Sequence, residues 1–444
     1  MKTAVVLFTR DLRVRDNPAL ATACANAERV VPLFVLDPKL QAISANRIRF
    51  MHQALADLRE TLRGKGGDLI IRRGDPIDET IKLARKAGAE GIALAADVSE
   101  YARAREKRLA EECAKHRISL RLFPGVTVVN PGELRPGGNT DHYKVFSPYH
   151  RAWLSAKWRD EVAVPRTITL PDGLDPGRMP AIPRGDSPEA IEGGETAGQR
   201  RVTTWLKHIG SYDDLHDDMA ADGTSRLSPY LRFGCVSPLA LANAARDLAG
   251  AGPASFVRQI CWRDFYYQVT YAYPKISTAA YRKAGEVEWR DDEDALKHWQ
   301  DGLTGVPIVD AGMRQLRVEG WMHNRARLIT AAFLTKHLGL DWRPGVQWFF
   351  RWLLDGDVAN NSGNWQWVAG TGNDTKPYRR FNPIRQAERF DPDGVYVRRY
   401  VPELKSVDGK SVHQPWRLPE DVRRRLDYPS PLEAHRDEAV WLRP

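Results

Sequence analysis

Five short apolar runs punctuate the first 125 residues: AVVLFTR (4–10), VVPLFVLD (30–37), DLIIRRGD (68–75), GIALAAD (91–97) and ISLRLFPG (118–125). Each ends in a polar residue or a glycine. Runs this short and this apolar suit strands buried on both faces of a parallel sheet. Amphipathic stretches lie between them. One begins at Asn17-Pro18, an N-cap followed by proline at the first helical position. Others cover Arg49 to Arg63 and Glu100 to Lys115. The alternation predicts a doubly wound α/β domain over residues 1–128. No G-x-G-x-x-G follows its first strand, so no dinucleotide site is expected there. Residues 160–198 are rich in Pro and Gly and mark a linker, bounded here as 129–198. Beyond about Thr196 strand signals nearly vanish. Trp348 and Trp352, like Phe349 and Leu353, recur four apart. The larger remainder, 199–444, is therefore expected to be all-α.

The length of 444 residues exceeds what one ordinary core organises, which agrees with two domains. No apolar run approaches the roughly 20 residues that span a bilayer. The N-terminal run from Ala4 to Phe8 is too short for a signal-peptide core, so it reads as a first strand and the protein as cytoplasmic. Cys24, Cys113, Cys235 and Cys261 have neither metal-ligand nor C-x-x-C spacing, which argues against zinc, iron–sulfur and disulfide frameworks. The formal net charge of +9 raises the prior for an anionic partner, nucleic acid above all. Tryptophan is normally rare, and 14 of them ask for a reason beyond packing.

Four stretches carry chemistry. In DGTSRLSP (222–229), a glycine, small hydroxyls and an arginine precede a helix start. They suit phosphate binding, though an ordinary N-cap is the commoner reading of such residues. In WRDFYY (262–267), aromatics interleave with arginine, as base stacking beside a phosphate needs, or as a core helix with charges outside provides. In GWMHNRAR (320–327), Asn324 and Arg327 share a helical face while Arg325 points elsewhere. His323 has no second histidine at metal spacing and reads as a satisfied core or boundary residue. In DGDVANNSGNWQW (355–367), two carboxylates precede carboxamides and two indoles. They suit a divalent cation, alternating hydrogen bonds to a polar heterocycle, or only a capped loop leading into a Trp-rich core helix. Trp365 and Trp367, in an extended or tightly turned segment, would face different compartments.

In order and spacing these four stretches resemble the DNA photolyase/cryptochrome family, most of all the class I cyclobutane pyrimidine dimer photolyases. TRDLRVRDNPAL near the N-terminus, YKVFSPYHRAW (143–153) and FDPDGVYVRRYVPEL (390–404) resemble it too, so the likeness spans essentially the whole chain. It implies FAD bound in a U-shape in the helical domain, whose reduced form passes one light-driven electron to a dimer flipped out of DNA. By matched position, Tyr212, Thr224, Ser225, Arg226, Leu227 and Ser228 resemble contacts to the FAD phosphates and ribityl chain. Gln259, Arg263, Asn324, Arg327, Asp355, Asp357 and Asn361 fall at flavin positions, with Asn361 beside N5. Gln259, Trp262, Asn324, Arg325, Leu328, Trp367 and Arg379 match contacts to the dimer and its DNA. Trp365, Trp342 and Trp289 match the family's tryptophan triad, which gives the tryptophan excess a purpose. Trp321, Trp348 and Trp352 remain core residues.

Two positions depart from the dimer photolyases, which commonly have Glu where this chain has Gln259 and Met where it has Leu328. A Gln also resembles the (6-4) photolyases, but those carry His at the positions of Asn324 and Leu328, for acid–base chemistry. The lead reading is therefore repair of cyclobutane pyrimidine dimers. The alternatives are a cryptochrome-like blue-light photoreceptor and a (6-4) photolyase. Residues 97–106 resemble binders of an 8-hydroxy-5-deazaflavin antenna more than of methenyltetrahydrofolate, with Arg47, Asp97 and Arg232 as candidate contacts. The expected partner is dimer-containing DNA, bound by a monomer away from any membrane and without a metal.

Overall fold

Strand β1 (Thr3–Leu7) sits between β2 (Arg29–Leu36) and β4 (Gly91–Ala95), with β3 (Ile70–Arg73) and β5 (Ser119–Phe123) at the edges. All pairings are parallel and the order is β3-β2-β1-β4-β5. This computed structural model describes residues 1–432 apart from 42–43, 139, 283–287 and 374–379. Each strand falls inside one of the five apolar runs, give or take a residue. The strands β1, β2 and β4 end at Leu7, Leu36 and Ala95, before the polar ends of those runs at Arg10, Asp37 and Asp97. Val5, Leu7, Leu33, Ile92 and Leu94 pack against Ile77, Ile81 and Leu109 from the covering helices.

The crossovers are helices with defined starts. Asn17 accepts the Leu20 N–H to open Pro18–Asn26. Ser44 accepts the Arg47 N–H and starts Ala45–Arg63 four residues earlier than the amphipathic pattern did. Ser99 caps Glu100–Lys115, whose bounds are those read from the sequence. Strand order reverses direction at β1. The crevice beyond the carboxyl ends of β1 and β4 is thus the topological switch point, where doubly wound folds take ligands.

The chain divides into two compact units. The first comprises Met1–Gly185, Ile191–Gly210 and Ser225–Lys275, and the second Asp186–Ala190, Ser211–Thr224 and Ile276–Pro444. The first therefore includes the long helix Ala251–Ala272 along with the sheet. On that helix the carboxylate of Asp264 is buried. One oxygen accepts the Val128 N–H (2.9 Å), the Val129 N–H (3.1 Å) and the Trp153 indole N–H (3.0 Å). Burial pushes Asp264 up to about 6, against the pull of Arg263 and these donors. The second unit is helical. Pro307–Glu319, Asn324–Ala332, Trp342–Trp352 and Val358–Ala369 pack around one core that includes Trp299, Met322, Phe349 and Trp365. Among its described residues the only strand-like feature is the isolated bridge Arg290↔Leu340.

Asp264→Ala leaves three buried donors without an acceptor. We expect it to cost about 3 kcal/mol, read as a lower midpoint in urea denaturation. Asp264→Asn, which keeps an acceptor oxygen, is expected to lose less.

Candidate functional site

In the second unit, Asp357 accepts the Asn360 N–H at 2.8 Å and so caps the helix Val358–Ala369. The stretch 355–367 is therefore a capped helix rather than extended chain. Residues two apart on a helix lie about 200° apart, so Trp365 and Trp367 do point to opposite sides, by helical rotation and not by strand alternation. Trp365 is 2% exposed. It meets Phe349 edge-on at 4.9 Å and Trp299 at 6.0 Å. A Cβ at Gly345 would come within 2.3 Å of its ring, so glycine is required there. Trp367 is half-buried, 6.4 Å from the ring of Phe381. Gln366 turns inward between them. It accepts the Tyr281 N–H (2.8 Å) and donates to the carbonyls of Ile276 (2.6 Å) and Ala279 (2.9 Å), stapling that segment to the helix. Asn361 is buried and donates to the Val346 carbonyl at 3.3 Å.

Asp355, just before this helix, holds Arg327 with both oxygens (3.2 and 2.8 Å). Two residues matched separately to the flavin thus form one bidentate pair. Asn324 is exposed at the first turn of its helix, and Leu328, four residues on, shares its face. Arg325 takes the other direction. Its Nε donates to Asp217 at 2.7 Å, a second nitrogen also meets that carboxylate, and the guanidinium lies 4.4 Å over Phe390. Burial works to raise Asp217, but Arg325 prevails and holds it below the usual carboxylate range. Asp217 carried no motif signal in the sequence.

His323 corrects an expectation. Its Nδ1 accepts the Arg325 N–H at 3.2 Å and caps the Asn324–Ala332 helix, but its Nε2 is buried without a partner. Burial pushes it down to about 4, despite Asp217 and Asp222. The other expectation that changes is the ordinary N-cap before Pro229. Leu227 holds the cap position of the short helix Ser228–Phe233 and makes no side-chain cap bond. Instead the Thr224 hydroxyl is buried with no partner, and Asp222 and Arg226 carry positive φ (49° and 50°). Strained backbone beside an unsatisfied hydroxyl fits a loop shaped for a ligand. Among the residues of the second unit, Asp355 and Asp357 are hydrogen-bond acceptors of the kind that suits hydroxyl and imide groups. Tyr212 is buried close by in sequence.

The three triad positions share one core. Trp342 is fully buried at the start of Trp342–Trp352, three residues before the Gly345 on which Trp365 rests. The bridge Arg290↔Leu340 lays the chain at Trp289 beside the chain entering Trp342. Trp289 is only half-buried and packs on the same core. Exposure therefore rises from the first two indoles to the third.

In the first unit, helix Ala251–Ala272 carries Gln259, Trp262 and Arg263. Gln259 is exposed and Trp262 half-buried. Arg263 donates to the Val126 carbonyl (2.6 Å) and to Tyr267 Oη (3.2 Å). Ser225 Oγ accepts the Leu227 N–H at 3.2 Å, and its carbonyl accepts from Arg201 at 2.7 Å. At the switch point Arg10 binds both oxygens of Asp97 (3.2 Å each) and donates to the Arg232 carbonyl (3.2 Å). Two of the three antenna candidates thus meet through Arg10, which the sequence reading passed over although it lies in TRDLRVRD. Arg47 is buried on the helix Ala45–Arg63. Burial pushes Glu106, which accepts the Asp97 N–H at 3.1 Å, up to about 7. Arg379 lies outside the described residues. Among the described residues no group of His, Cys, Asp or Glu is arranged to hold a metal, and no helix is long and apolar enough to cross a membrane.

The depressed His323 sets a pH dependence. The unfolded chain takes up this proton near 6.5 and the folded one only near 4, so stability present above about 6.5 is lost as pH falls towards 4. We expect the urea midpoint to fall over that window, and His323→Gln to flatten the fall. Equal slopes for the two proteins would remove His323 as the cause.

Two family models match the chain: DNA photolyase over residues 4–167, and the FAD binding domain of DNA photolyase over residues 256–441. A deoxyribodipyrimidine photo-lyase of Streptomyces griseus is 47% identical over 439 residues, covering 97% of this chain and 96% of its own. A cryptochrome DASH of Natronomonas pharaonis is 36% identical over 469 residues, with 97% and 98% covered. The crystal structure of a bacterial class III photolyase from Agrobacterium tumefaciens matches with a TM-score of 0.91 at 33% identity, over 98% of this chain and 95% of that one. The chain belongs to the DNA photolyase/cryptochrome family, carries its FAD-binding domain, and is an enzyme of the photolyase kind.

Proposed function

We propose that the protein repairs cyclobutane pyrimidine dimers in DNA by light-driven electron transfer. The observation that carries this reading is the helix Val358–Ala369, which places Asn361 and a core-buried Trp365 on one element with a half-exposed Trp367 turned the other way. Bound FAD supplies the photo-excited electron. Tyr212, Thr224, Ser225, Arg226, Leu227, Ser228, Gln259, Arg263, Asn324, Arg327, Asp355, Asp357 and Asn361 are assigned to it by motif position. Asn361 is a carboxamide with no acidic proton to give the flavin. Trp262 and Trp367 are flat apolar faces for bases taken out of the stack, as photolyases among other enzymes take them. Arg325 and Arg379 are assigned to DNA phosphates, which makes Asp217 the residue that orients Arg325 until a phosphate takes its place. Trp365, Trp342 and Trp289 relay an electron inward from the surface.

The first 128 residues form the proposed antenna domain, 129–198 the linker and 199–444 the catalytic domain. The antenna is proposed to be 8-hydroxy-5-deazaflavin at Arg47, Asp97 and Arg232, supported by the way Arg10 ties the last two at the switch point. Function as a monomer in the cytoplasm completes the reading. Asn324 and Leu328 lack the acid–base capacity that a (6-4) lesion demands. A cryptochrome-like photoreceptor is the second reading, favoured by the likeness to cryptochrome DASH.

The direct test illuminates the reduced protein with dimer-containing DNA and assays restored thymines. No turnover favours the photoreceptor reading. Trp365→Phe is expected to slow photoreduction of the oxidised protein greatly while sparing repair by chemically reduced enzyme; equal photoreduction rates would end the triad assignment. Trp367→Ala is expected to weaken binding to dimer-containing DNA by about 1–3 kcal/mol, measured by fluorescence anisotropy, and unchanged affinity would take it out of the lesion site.

A further inference from the structure

The segment 143–153 has no task in the proposed mechanism, yet it is fastened to the helix Ala251–Ala272 at three levels. At its start the Tyr143 N–H donates to Gln268 Oε1 (3.0 Å) and the Tyr143 carbonyl accepts from Gln268 Nε2 (2.8 Å). At its end the fully buried Trp153 donates its indole N–H to Asp264 at 3.0 Å. Between these anchors the ring of Phe146 lies flat on the indole of Trp262, with centroids 3.6 Å apart and planes 4° from parallel. Phe265 meets both rings edge-on, at 5.8 Å from Phe146 and 5.6 Å from Trp262. His150, one turn along from Phe146, stacks on it at 5.4 Å and 20°. Burial and Arg258 push His150 below its ordinary value.

Aromatic pairs left to themselves settle offset or edge-on, with centroids 4.5 Å apart or more. So close and parallel an overlay is imposed by the two helices and their anchors. Phe146 itself is buried, whereas Trp262 is half-exposed. One ring is thus a fixed support and the other a working surface.

We infer that Phe146 is a positioning residue that fixes the plane of the Trp262 indole before a lesion base arrives. This rests on the reading of Trp262 as a lesion contact. A base stacking on an indole free to turn about its side-chain torsions would have to order it first, and that entropy would come out of the affinity. An indole held flat by Phe146 has already lost it.

The test compares Phe146→Leu, Phe146→Tyr, Trp262→Ala and the double variant Phe146→Leu/Trp262→Ala as FAD-loaded proteins. Phe146→Leu is expected to raise the Kd for dimer-containing DNA about fivefold. FAD content and the repair rate at saturating DNA should stay unchanged, and the near-UV circular dichroism of the stacked pair should weaken. Phe146→Tyr, which keeps the ring, should bind as the parent does. In the Trp262→Ala background Phe146→Leu should add nothing, because the residue it acts through is gone. Phe146→Met fills similar space and replaces the Leu variant if that one does not retain FAD. Parent-like affinity of the Leu or Met variant overturns the inference while leaving Trp262 in place. An equal loss in the Trp262→Ala background overturns it as well, since that marks a general structural role. Parent-like affinity of Trp262→Ala removes the lesion contact itself, and the inference with it.

Discussion

The carboxylate of Asp264 gathers three stretches of chain that are far apart in sequence. One oxygen takes N–H donors from Val128 and Val129, where the chain has just left the sheet, and from Trp153 at the end of the helix Phe146–Ser155. A buried charge is costly unless it is hydrogen-bonded, and each of these donors would be costly without it. The group and its donors are therefore mutually dependent, so the exit from the α/β sheet is tied to the helix that carries Gln259, Trp262 and Arg263. Arg263, next in the chain, extends the same tie by donating to the Val126 carbonyl.

In the second unit the corresponding constraint is one cap and one carboxamide. Asp357 starts the helix Val358–Ala369, and Gln366 binds three backbone groups of residues 276–281. Together they set the rotation of the helix about its axis. Once that is set, Trp365 must enter the core against Phe349 and Gly345, and Trp367 must leave it.

Most of the fold was legible because burial on two faces leaves a plain mark. All five strands, and the cap at Asn17, follow from apolar runs and capping residues alone. The candidate site residues rest on motif order and spacing. What escaped was geometry that depends on partners distant in sequence. Asp217 looks like one more acidic residue in a charged stretch until Arg325 is seen against it. Arg10 looks like a surface arginine until Asp97 and the Arg232 carbonyl converge on it. His323 was read as satisfied because a lone histidine usually is, and only the structure exposes an Nε2 without a partner. The helical form of 355–367 competes in the sequence with extended readings, since two Asp, three Asn and two Gly in so short a stretch suppress helix propensity. The Asp357 cap and the surrounding core override it.

Net charge was the weakest guide to nucleic acid. The +9 formal charge counts arginines that brace the interior. Arg13 is fully buried and donates to the carbonyls of Arg15, Asp16, Gly125 and Gly234. Arg314 is spent on Glu403, Arg327 on Asp355, and Arg398 on the carbonyls of Val407 and Gly409. Such residues add to the total without offering charge to a phosphate. Even Arg325 already faces the carboxylate of Asp217. Any anion that displaced this carboxylate would replace one negative partner with another, so much of the Coulomb energy would be exchanged rather than gained. What the Asp217 carboxylate contributes is direction: it fixes the Arg325 guanidinium in one orientation.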